Sequence, residues 1–257
     1  MNHSEQTHLS PPRNAETDAF WRALHDAATQ PYRAAGKFAW HFARGKLGRD
    51  PVFRGMLERG DLLGGRVVDI GCGQGLLASL LHSCARLADA GRWPAAWPAA
   101  PRATAYTGIE LMPRDVRRAE AAVGTLTLGD GTTPRFVCGD MCSTPLPACE
   151  LVVILDVLHY VDHAAQDAVL RRVHEALRPR GRLLLRVGDM ADAGGFRISQ
   201  WVDMLVTWVR GHRAPPTWGR SVAEWTAALQ SLGFTVRAVP MSAGTPFANV
   251  LLVADRP

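Results

Sequence analysis

A glycine-rich turn preceded by a carboxylate is the part of this 257-residue sequence that points most directly to chemistry. The stretch VVDIGCGQG (67–75) is an apolar run that ends in glycines and precedes a leucine-rich segment, which predicts a buried strand, a tight turn and a helix. Glycines there let a ligand approach the backbone, and the following helix offers free N–H groups. Asp69 precedes the first glycine, and Glu110 ends the next predicted strand, where a carboxylate can accept hydrogen bonds from ribose hydroxyls.

The same turn discriminates between two kinds of nucleotide ligand. In a dinucleotide enzyme the pyrophosphate lies at the helix N-terminus, where the charge of Asp69 would repel it. The third glycine of a dinucleotide fingerprint would fall at position 76, which is occupied by Leu76. Asp69 is better matched to an ammonium group than to a phosphate. The sequence therefore favours a nucleoside that carries an amino acid, and it disfavours the alternative of a NAD(P)-dependent oxidoreductase.

Five motifs in order give the sequence a resemblance to the class I S-adenosylmethionine-dependent methyltransferases. These motifs are VVDIGCGQG (67–75), TGIEL (107–111), CGDM (138–141), LVVILDVLHYVD (151–162) and HEALRPRGRLLL (174–185). The gap between the first two is longer than in the family, and a proline-rich insertion at 91–102 accounts for it. The resemblance implies S-adenosyl-L-methionine as the cofactor and methyl transfer to an acceptor as the reaction.

The resemblance also implies which residues bind the cofactor. Glu110 would hold the ribose, and Asp140 would meet the adenine amino group beside the apolar Met141. The complete set is Asp69, Gly71, Cys72, Gly73, Glu110, Leu111, Asp140, Met141 and Asp156. No metal site is expected, because His163, His174 and His212 share no close motif with aspartate or cysteine and the five cysteines form no Cys-x-x-Cys pair.

His159 is the candidate catalytic residue, since it follows the fourth predicted strand at the edge where methyl transfer would occur. Its segment is similar to the LHDW.D stretch of small-molecule O-methyltransferases, whose histidine deprotonates a phenol, and Asp162 also matches. Tyr160 and Val161 depart from that stretch, and no dimerisation domain is recognisable before the core. An imidazole suits proton removal near neutral pH. A general base and a residue that only shapes the pocket remain equal interpretations of His159.

The acceptor is expected to be a small or carrier-bound, aromatic or apolar molecule that is methylated at oxygen or carbon. Two segments, 37–53 and 246–254, are similar to bacterial methyltransferases of aryl-polyene or polyketide pathways. A predicted helix over 197–210 carries an apolar stripe, for which core packing is the default and an acceptor pocket the further hypothesis. That stripe consists of Trp201, Met204, Leu205 and Trp208. Asp189 would either bind the acceptor or cap a turn, and capping is the favoured interpretation.

The elements that must position these residues alternate between strand and helix after residue 60, which predicts a doubly wound α/β sheet. Strands are predicted at 66–70, 103–110, 135–138, 151–155, 183–187, 234–239 and 249–254, and helices at 76–88, 113–123, 162–177 and 221–233. The resemblance implies a Rossmann-like seven-stranded sheet with one antiparallel C-terminal strand. We expect a mobile tail over 1–14, an N-terminal helical lid over 15–60 and the methyltransferase domain over 61–257.

The net charge of +5 raises nucleic acid as a partner. The arginines are dispersed, however, and the site after the fourth strand reads Asp156-Val157-Leu158-His159 rather than the Asn/Asp-Pro-Pro-Tyr of RNA methyltransferases, so an RNA substrate is the weaker alternative. A non-enzymatic, cofactor-binding scaffold is a further alternative, which the intact first two motifs disfavour. The N-terminus lacks a secretory signal pattern and no uncharged run can span a bilayer, which favours a cytoplasmic protein. The oligomeric state is left open.

Overall fold

The computed structural model describes residues 14–188, 218–241 and 249–257. The predicted tail (apart from Asn14), the predicted helix over 197–210 and Asp189 therefore lie outside the described residues. The strands are β1 (Gly65–Ile70), β2 (Ala103–Glu110), β3 (Arg135–Cys138), β4 (Cys149–Leu155), β5 (Leu177–Gly188), β6 (Thr235–Pro240) and β7 (Asn249–Asp255). The helices are α1 (Ala15–Thr29), α2 (Lys37–Arg49), α3 (Pro51–Glu58), α4 (Leu76–Asp89), α5 (Pro113–Val123), α6 (His163–Ala176) and α7 (Val222–Ser231), with 3₁₀ turns at Gln30–Arg33 and Leu158–Tyr160.

The seven strands form one sheet in the order β3-β2-β1-β4-β5-β7-β6. Strands β1 to β5 pair in parallel, whereas β7 is antiparallel to both of its neighbours. The predicted doubly wound sheet with one antiparallel C-terminal strand is thus confirmed. Because the strand order reverses at β1 and β4, the crevice beyond their carboxyl ends is where such a sheet binds ligands.

Strands β1 and β4 lie in the middle of the sheet, which explains their nearly continuous apolar sequences. Val67 of β1 packs on one face in a cluster with Leu77 of α4, whereas Val68 packs on the other face with Val169 of α6. Strands of a parallel sheet that are covered on both faces need apolar side chains at successive positions. Asp69 of β1 and Arg186 of β5 are charged side chains that are nevertheless buried.

Aspartate or serine side chains cap three of the helices. Asp50 caps α3 by accepting a hydrogen bond from the Val52 N–H at 3.1 Å, and Pro51 occupies the first helical position. Ser221 opens α7 with a capping box. Asp162 caps α6 by accepting from the Ala165 N–H at 2.8 Å. The caps fix where the polypeptide enters each helix, because they satisfy N–H groups that lack a partner within the helix.

The N-terminal helices pack directly against the sheet domain. Leu24 and Ala28 of α1 share a hydrophobic cluster with α4, and the Ser79 hydroxyl donates to the Ala28 carbonyl at 2.6 Å. The predicted loop over 91–102 contains no helix or strand, but it packs against α1. Trp93 and Trp97 contact the Phe20 ring edge-on, each at 5.2 Å between centroids. Among the described helices, none combines the length and the apolar character needed to cross a membrane.

Two boundaries differ from the sequence prediction. Strand β5 begins at Leu177 rather than at 183, because Leu177 leaves α6 already extended and pairs with Cys149. The register then shifts before Arg182 pairs with Leu151, and Arg180 adopts a left-handed φ of 64° within this irregular part. In the N-terminal region, the apolar residues Tyr32, Ala35, Phe38, Ala39 and Phe42 recur at helical spacing, which predicts one continuous stripe, but Gly36 at φ 99° separates the 3₁₀ turn from α2.

Candidate active site

The glycine turn after β1 combines a packed glycine with an open one. Gly71 and Gly73 both have positive φ, at 75° and 54°. A Cβ atom on Gly71 would lie 2.5 Å from the Val157 Cγ1, so this glycine allows the turn after β4 to approach. A Cβ atom on Gly73 would meet no atom of the described residues within 4 Å. The open side of Gly73 therefore offers bare backbone to a ligand.

Asp69 is a buried acid at the end of β1, with a side chain that lies next to β2. The Tyr106 hydroxyl donates to the Asp69 Oδ2 at 2.5 Å. Burial raises the pKa of Asp69 to about 7, against the lowering effect of the Tyr106 hydrogen bond and with a further rise from the charge of Glu110. A buried carboxyl group of this kind is stabilised in its ionised form when a cation binds beside it.

Glu110 connects the end of β2 to the glycine turn. Its Oε2 accepts from the Gly73 N–H at 3.0 Å, and its Oε1 accepts from the Met112 N–H at 2.8 Å. Cys72 is buried within the same turn, whereas Leu111 is 63% exposed directly after the acid. Because both carboxylate oxygens are held by backbone donors, Glu110 is oriented before any ligand binds.

Asp140 and Met141 follow β3 beside Glu110. The Gly139 N–H donates to the Glu110 carbonyl at 3.0 Å, which places this segment next to the end of β2. The Asp140 Oδ1 accepts from the Cys142 N–H at 2.8 Å and so closes a turn within its own segment. Met141 packs against the hydrophobic cluster under α6, and its carbonyl accepts from Arg172 at 2.6 Å. The structure therefore places these residues at the same edge of the sheet as Asp69 and Glu110.

Asp156 is the first residue after β4 and has a left-handed backbone, with φ at 61°. Its carboxylate contacts the Arg186 guanidinium, with the Arg186 Nε donating to Oδ1 at 2.7 Å, and lies 3.6 Å from the Lys46 Nζ. Burial alone would raise the pKa of Asp156, but these two cations outweigh it and the pKa is lowered. Asp156, predicted from resemblance as a cofactor residue, is therefore engaged with cations of the chain itself.

His159 lies in the 3₁₀ turn that follows Asp156. Its ring contacts the Tyr160 ring at 4.2 Å between centroids, and its carbonyl accepts from the Trp218 N–H at 2.8 Å. Burial lowers the pKa of His159, while the charge of Asp156 opposes that shift. A lowered pKa keeps the imidazole neutral near pH 7, the form that can accept a proton.

Sequence reasoning missed several residues of this edge. Tyr106 holds Asp69, and Tyr32 donates its hydroxyl to the Gln74 carbonyl at 2.8 Å within the glycine turn. Lys46 lies on α2, where the sequence pattern favours an amphipathic helix with a solvated basic edge and does not predict the contact with Asp156. The Arg186 side chain is buried at the end of β5, and an arginine inside the apolar run LLLRV is the signal that could have identified it.

The described part of the chain contains no group of three or more His, Cys, Asp or Glu residues that could hold a metal ion. All five cysteines are free thiols, and Cys138 and Cys142 are the two that are not buried. The described residues bring carboxylates, the His159 imidazole, the cations Lys46 and Arg186 and backbone donors to this edge of the sheet.

Comparison with known proteins adds family relationships to this geometry. A family described as a methyltransferase domain matches residues 68–183. The chain is 29% identical over 246 residues to an acetylserotonin O-methyltransferase of Mus musculus, an alignment that covers 89% of this chain and 55% of the relative. It is 29% identical over 104 residues to the tetracenomycin polyketide synthesis 8-O-methyl transferase TcmO of Streptomyces glaucescens, covering 39% of this chain and 29% of the relative.

Among solved structures, the S-adenosylmethionine-dependent methyltransferase SibL in its apo form is similar in fold. The TM-score is 0.60 at 18% sequence identity, and the match covers 86% of this chain and 57% of that chain. The chain spans about half the length of the curated relatives it matches, as the 55% coverage of the mouse protein illustrates.

Proposed function

Because the chain belongs to the class I S-adenosylmethionine-dependent methyltransferases, we propose that it transfers a methyl group from S-adenosyl-L-methionine to a hydroxyl oxygen of a small aromatic acceptor. The observation that carries this proposal is the convergence of Asp69, Glu110 and His159 at one edge of the sheet. Two variants of this reaction are methyl transfer to a carbon atom and methyl transfer to an acceptor that is bound to a carrier protein.

The residues at the glycine turn fit the cofactor. Asp69 is buried, and its pKa of about 7 fits a carboxyl group that becomes ionised beside the ammonium group of the methionine part. Glu110 is fixed by the Gly73 and Met112 N–H groups, and carboxylate oxygens retain further lone pairs that can accept from ribose hydroxyls. The exposed Leu111 offers an apolar surface to the adenine. Asp140 and Met141 complete this proposed cofactor site.

The proposed reaction requires the chain to align the acceptor with the cofactor and to remove the proton of the acceptor hydroxyl. When bound, S-adenosyl-L-methionine supplies an electrophilic methyl group on a sulfonium. The pocket must align the acceptor oxygen with that methyl group, which is most of what such a displacement requires. His159, neutral because burial lowers its pKa, accepts the proton of the acceptor hydroxyl. The alternative, in which His159 only shapes the pocket, would apply to an acceptor that needs no base.

The acceptor class rests on the relatives and on the surroundings of His159. The names of two relatives refer to O-methylation, of acetylserotonin in one case and in tetracenomycin polyketide synthesis in the other. Trp218 is 42% exposed, its N–H donates to the His159 carbonyl and its ring contacts the His163 ring, so an exposed aromatic residue is paired with the turn that carries the proposed base. Both observations support a hydroxylated aromatic acceptor, of the kind that secondary metabolism produces.

The N-terminal helices are proposed to cover the cofactor site, with 15–60 as a lid on the methyltransferase domain over 61–257. The buried contact between the Tyr32 hydroxyl and the Gln74 carbonyl supports this, because it ties the 3₁₀ turn to the glycine turn. A cytoplasmic location is proposed from the free cysteines, which a reducing compartment keeps as thiols.

The proposal is tested in two steps. Calorimetric titration with S-adenosylhomocysteine should give binding heat, and titration with NAD⁺ or NADP⁺ should give none. Incubation with methyl-labelled S-adenosyl-L-methionine and a panel of phenols that includes N-acetylserotonin should then label at least one phenol. Heat from NADP⁺ without heat from S-adenosylhomocysteine would overturn the cofactor assignment. Incorporation of the label into RNA alone would show that the acceptor is a nucleic acid rather than a small molecule.

A further inference from the structure

An ion cluster around a buried arginine lies at the carboxyl edge of the sheet, and we call its members Lys46, Asp50, Asp156 and Arg186 the edge cluster. The Arg186 side chain is 2% exposed and its guanidinium contacts both carboxylates. It donates from Nε to the Asp156 Oδ1 at 2.7 Å and from Nη2 to the Asp50 Oδ2 at 2.8 Å. The Lys46 Nζ lies 2.8 Å from the Asp50 Oδ2 and 3.6 Å from the Asp156 Oδ2. Two cations and two anions thus balance one another.

The members of the edge cluster come from parts of the chain that must cooperate in the proposed reaction. Lys46 lies on α2, and Asp50 caps α3, so both belong to the N-terminal helices. Asp156 begins the turn after β4, and Arg186 lies on the neighbouring strand β5. One guanidinium therefore connects the proposed lid to the turn that carries His159.

The backbone at Asp156 shows what this connection stabilises. A left-handed conformation is unfavourable for a residue with a Cβ atom and persists where the surroundings impose it. Arg186 acts on Asp156 twice, through its guanidinium and through its carbonyl, which accepts from the Asp156 N–H at 3.4 Å. The turn then places Val157 against Gly71 and leads into the 3₁₀ turn of His159.

We propose that Arg186 is a positioning residue for the proposed methyl transfer. It holds Asp156 in the conformation that places His159 at the carboxyl edge, and it holds α2 and α3 against the same turn through Asp50. This inference rests on the proposed function, but its central residue, Arg186, lies outside the five family motifs. A planar guanidinium can bind two carboxylates in this way, whereas an ammonium group cannot replace its geometry.

Arg182 provides a matched control. It lies on the same strand and the same face as Arg186, and its Nε donates to the Asp255 Oδ1 at 2.6 Å. Its guanidinium also faces the carbonyls of Gly60 and Asp61, at the opposite edge of the sheet. The variant R182Q therefore loses a comparable guanidinium without touching the turn after β4.

The first measurement needs no acceptor. The pKa of His159 is followed by NMR titration of the imidazole resonances, with H159Q used to assign the signal. In R186Q the charge of Asp156 is less compensated, so the pKa of His159 should rise by about 1 unit, whereas R182Q should leave it unchanged. Hydrogen exchange of α2 and α3 should become about tenfold faster in R186Q and not in R182Q. A folded R186Q with an unchanged His159 pKa and unchanged exchange would overturn the inference.

The second measurement is methyl transfer to the phenol that the labelling panel identifies. R186Q should lower kcat on the order of 10²-fold with the KM for S-adenosyl-L-methionine nearly unchanged, because a displaced turn affects alignment. Wild-type kcat in R186Q would contradict the positioning role. If R186Q does not fold, hydrogen exchange of the variant D50N tests the inference instead. Asparagine at position 50 can still cap α3, but its ion pair with Arg186 is lost. Wild-type exchange in D50N would then overturn the link between the helices and the turn.

Failure of this inference is distinguishable from failure of the proposed function. If the wild-type protein gives no heat with S-adenosylhomocysteine, the proposed function fails, whatever the titration of His159 shows. If the wild-type protein binds and transfers methyl groups while R186Q behaves as R182Q does, only the positioning role fails.

Discussion

The Tyr106 hydroxyl donates a hydrogen bond to the Asp69 carboxylate across two neighbouring parallel strands, at 2.5 Å. Both side chains are buried, and the pKa of Tyr106 is raised well above its usual value by burial and then by the charge of Asp69. The tyrosine therefore stays protonated and acts as a donor. The acid expected to meet the cofactor ammonium group is thus already oriented, yet its own pKa of about 7 leaves it partly protonated at neutral pH.

The affinity for S-adenosylhomocysteine should increase with pH around neutrality. The pKa of Asp69 is raised to about 7, so the carboxylate form that attracts an ammonium group predominates only above that value. Between pH 6 and pH 8 the dissociation constant should fall about tenfold, while the ligand ammonium group stays charged. Calorimetric titrations across this range measure the effect. The variant D69N should be weaker and nearly independent of pH, and a flat wild-type profile would contradict the role of Asp69.

Removal of the Tyr106 hydroxyl should move this pH profile upward. The hydrogen bond from Tyr106 lowers the pKa of Asp69, so Y106F should raise the midpoint of the binding profile by about 1 unit. Y32F is the matched control, because it also removes a buried hydroxyl near the glycine turn but one that donates to the Gln74 carbonyl. Equal midpoints in the two variants would show that loss of a buried hydroxyl, rather than the contact with Asp69, sets the profile.

The two glycines of the turn should respond differently to alanine. G71A would place a Cβ atom 2.5 Å from Val157 at a positive φ, so we expect a loss of about 3 kcal/mol in the free energy of unfolding. G73A has space within the described residues and should lose only about 1 kcal/mol. Its affinity for S-adenosylhomocysteine should nevertheless fall about tenfold, because the methyl group occupies the open side of the turn. Denaturant unfolding measures the effect on stability, and calorimetry measures the effect on affinity. Wild-type affinity in G73A would contradict the expectation that the ligand approaches the backbone at Gly73.

The substitution H159Q should abolish most methyl transfer and spare cofactor binding. Glutamine retains hydrogen-bonding capacity but cannot accept a proton, so kcat for a phenol should fall by about 10²–10⁴-fold if His159 is the base. The dissociation constant for S-adenosylhomocysteine should stay nearly unchanged, because His159 lies in the turn after β4 rather than in the glycine turn. Nearly full turnover in H159Q would favour the pocket-shaping interpretation.

The strands and the glycine turn were predictable because their signals are local. The apolar runs of β1 and β4 indicate burial on both faces, and the caps at Asp50, Asp162 and Ser221 lie directly before the helices they begin. The seven-stranded sheet with one antiparallel C-terminal strand follows from the family resemblance, whereas the order of the strands comes from their pairing in the structure. The beginning of β5 was not predictable, since the extended backbone at Leu177 depends on its pairing with Cys149.

By itself, the sequence determined the strands, the glycine turn and the identity of the acids at strand ends, because each is encoded by residues close together along the chain. Only the tertiary structure decided which partners those acids have. Tyr106 is 37 residues from Asp69, and Arg186 is 136 residues from Asp50. Such contacts arise from the order in which strands pair and from how helices cover them. Burial, which sets the pKa of Asp69 and of His159, likewise exists only after distant segments have packed together.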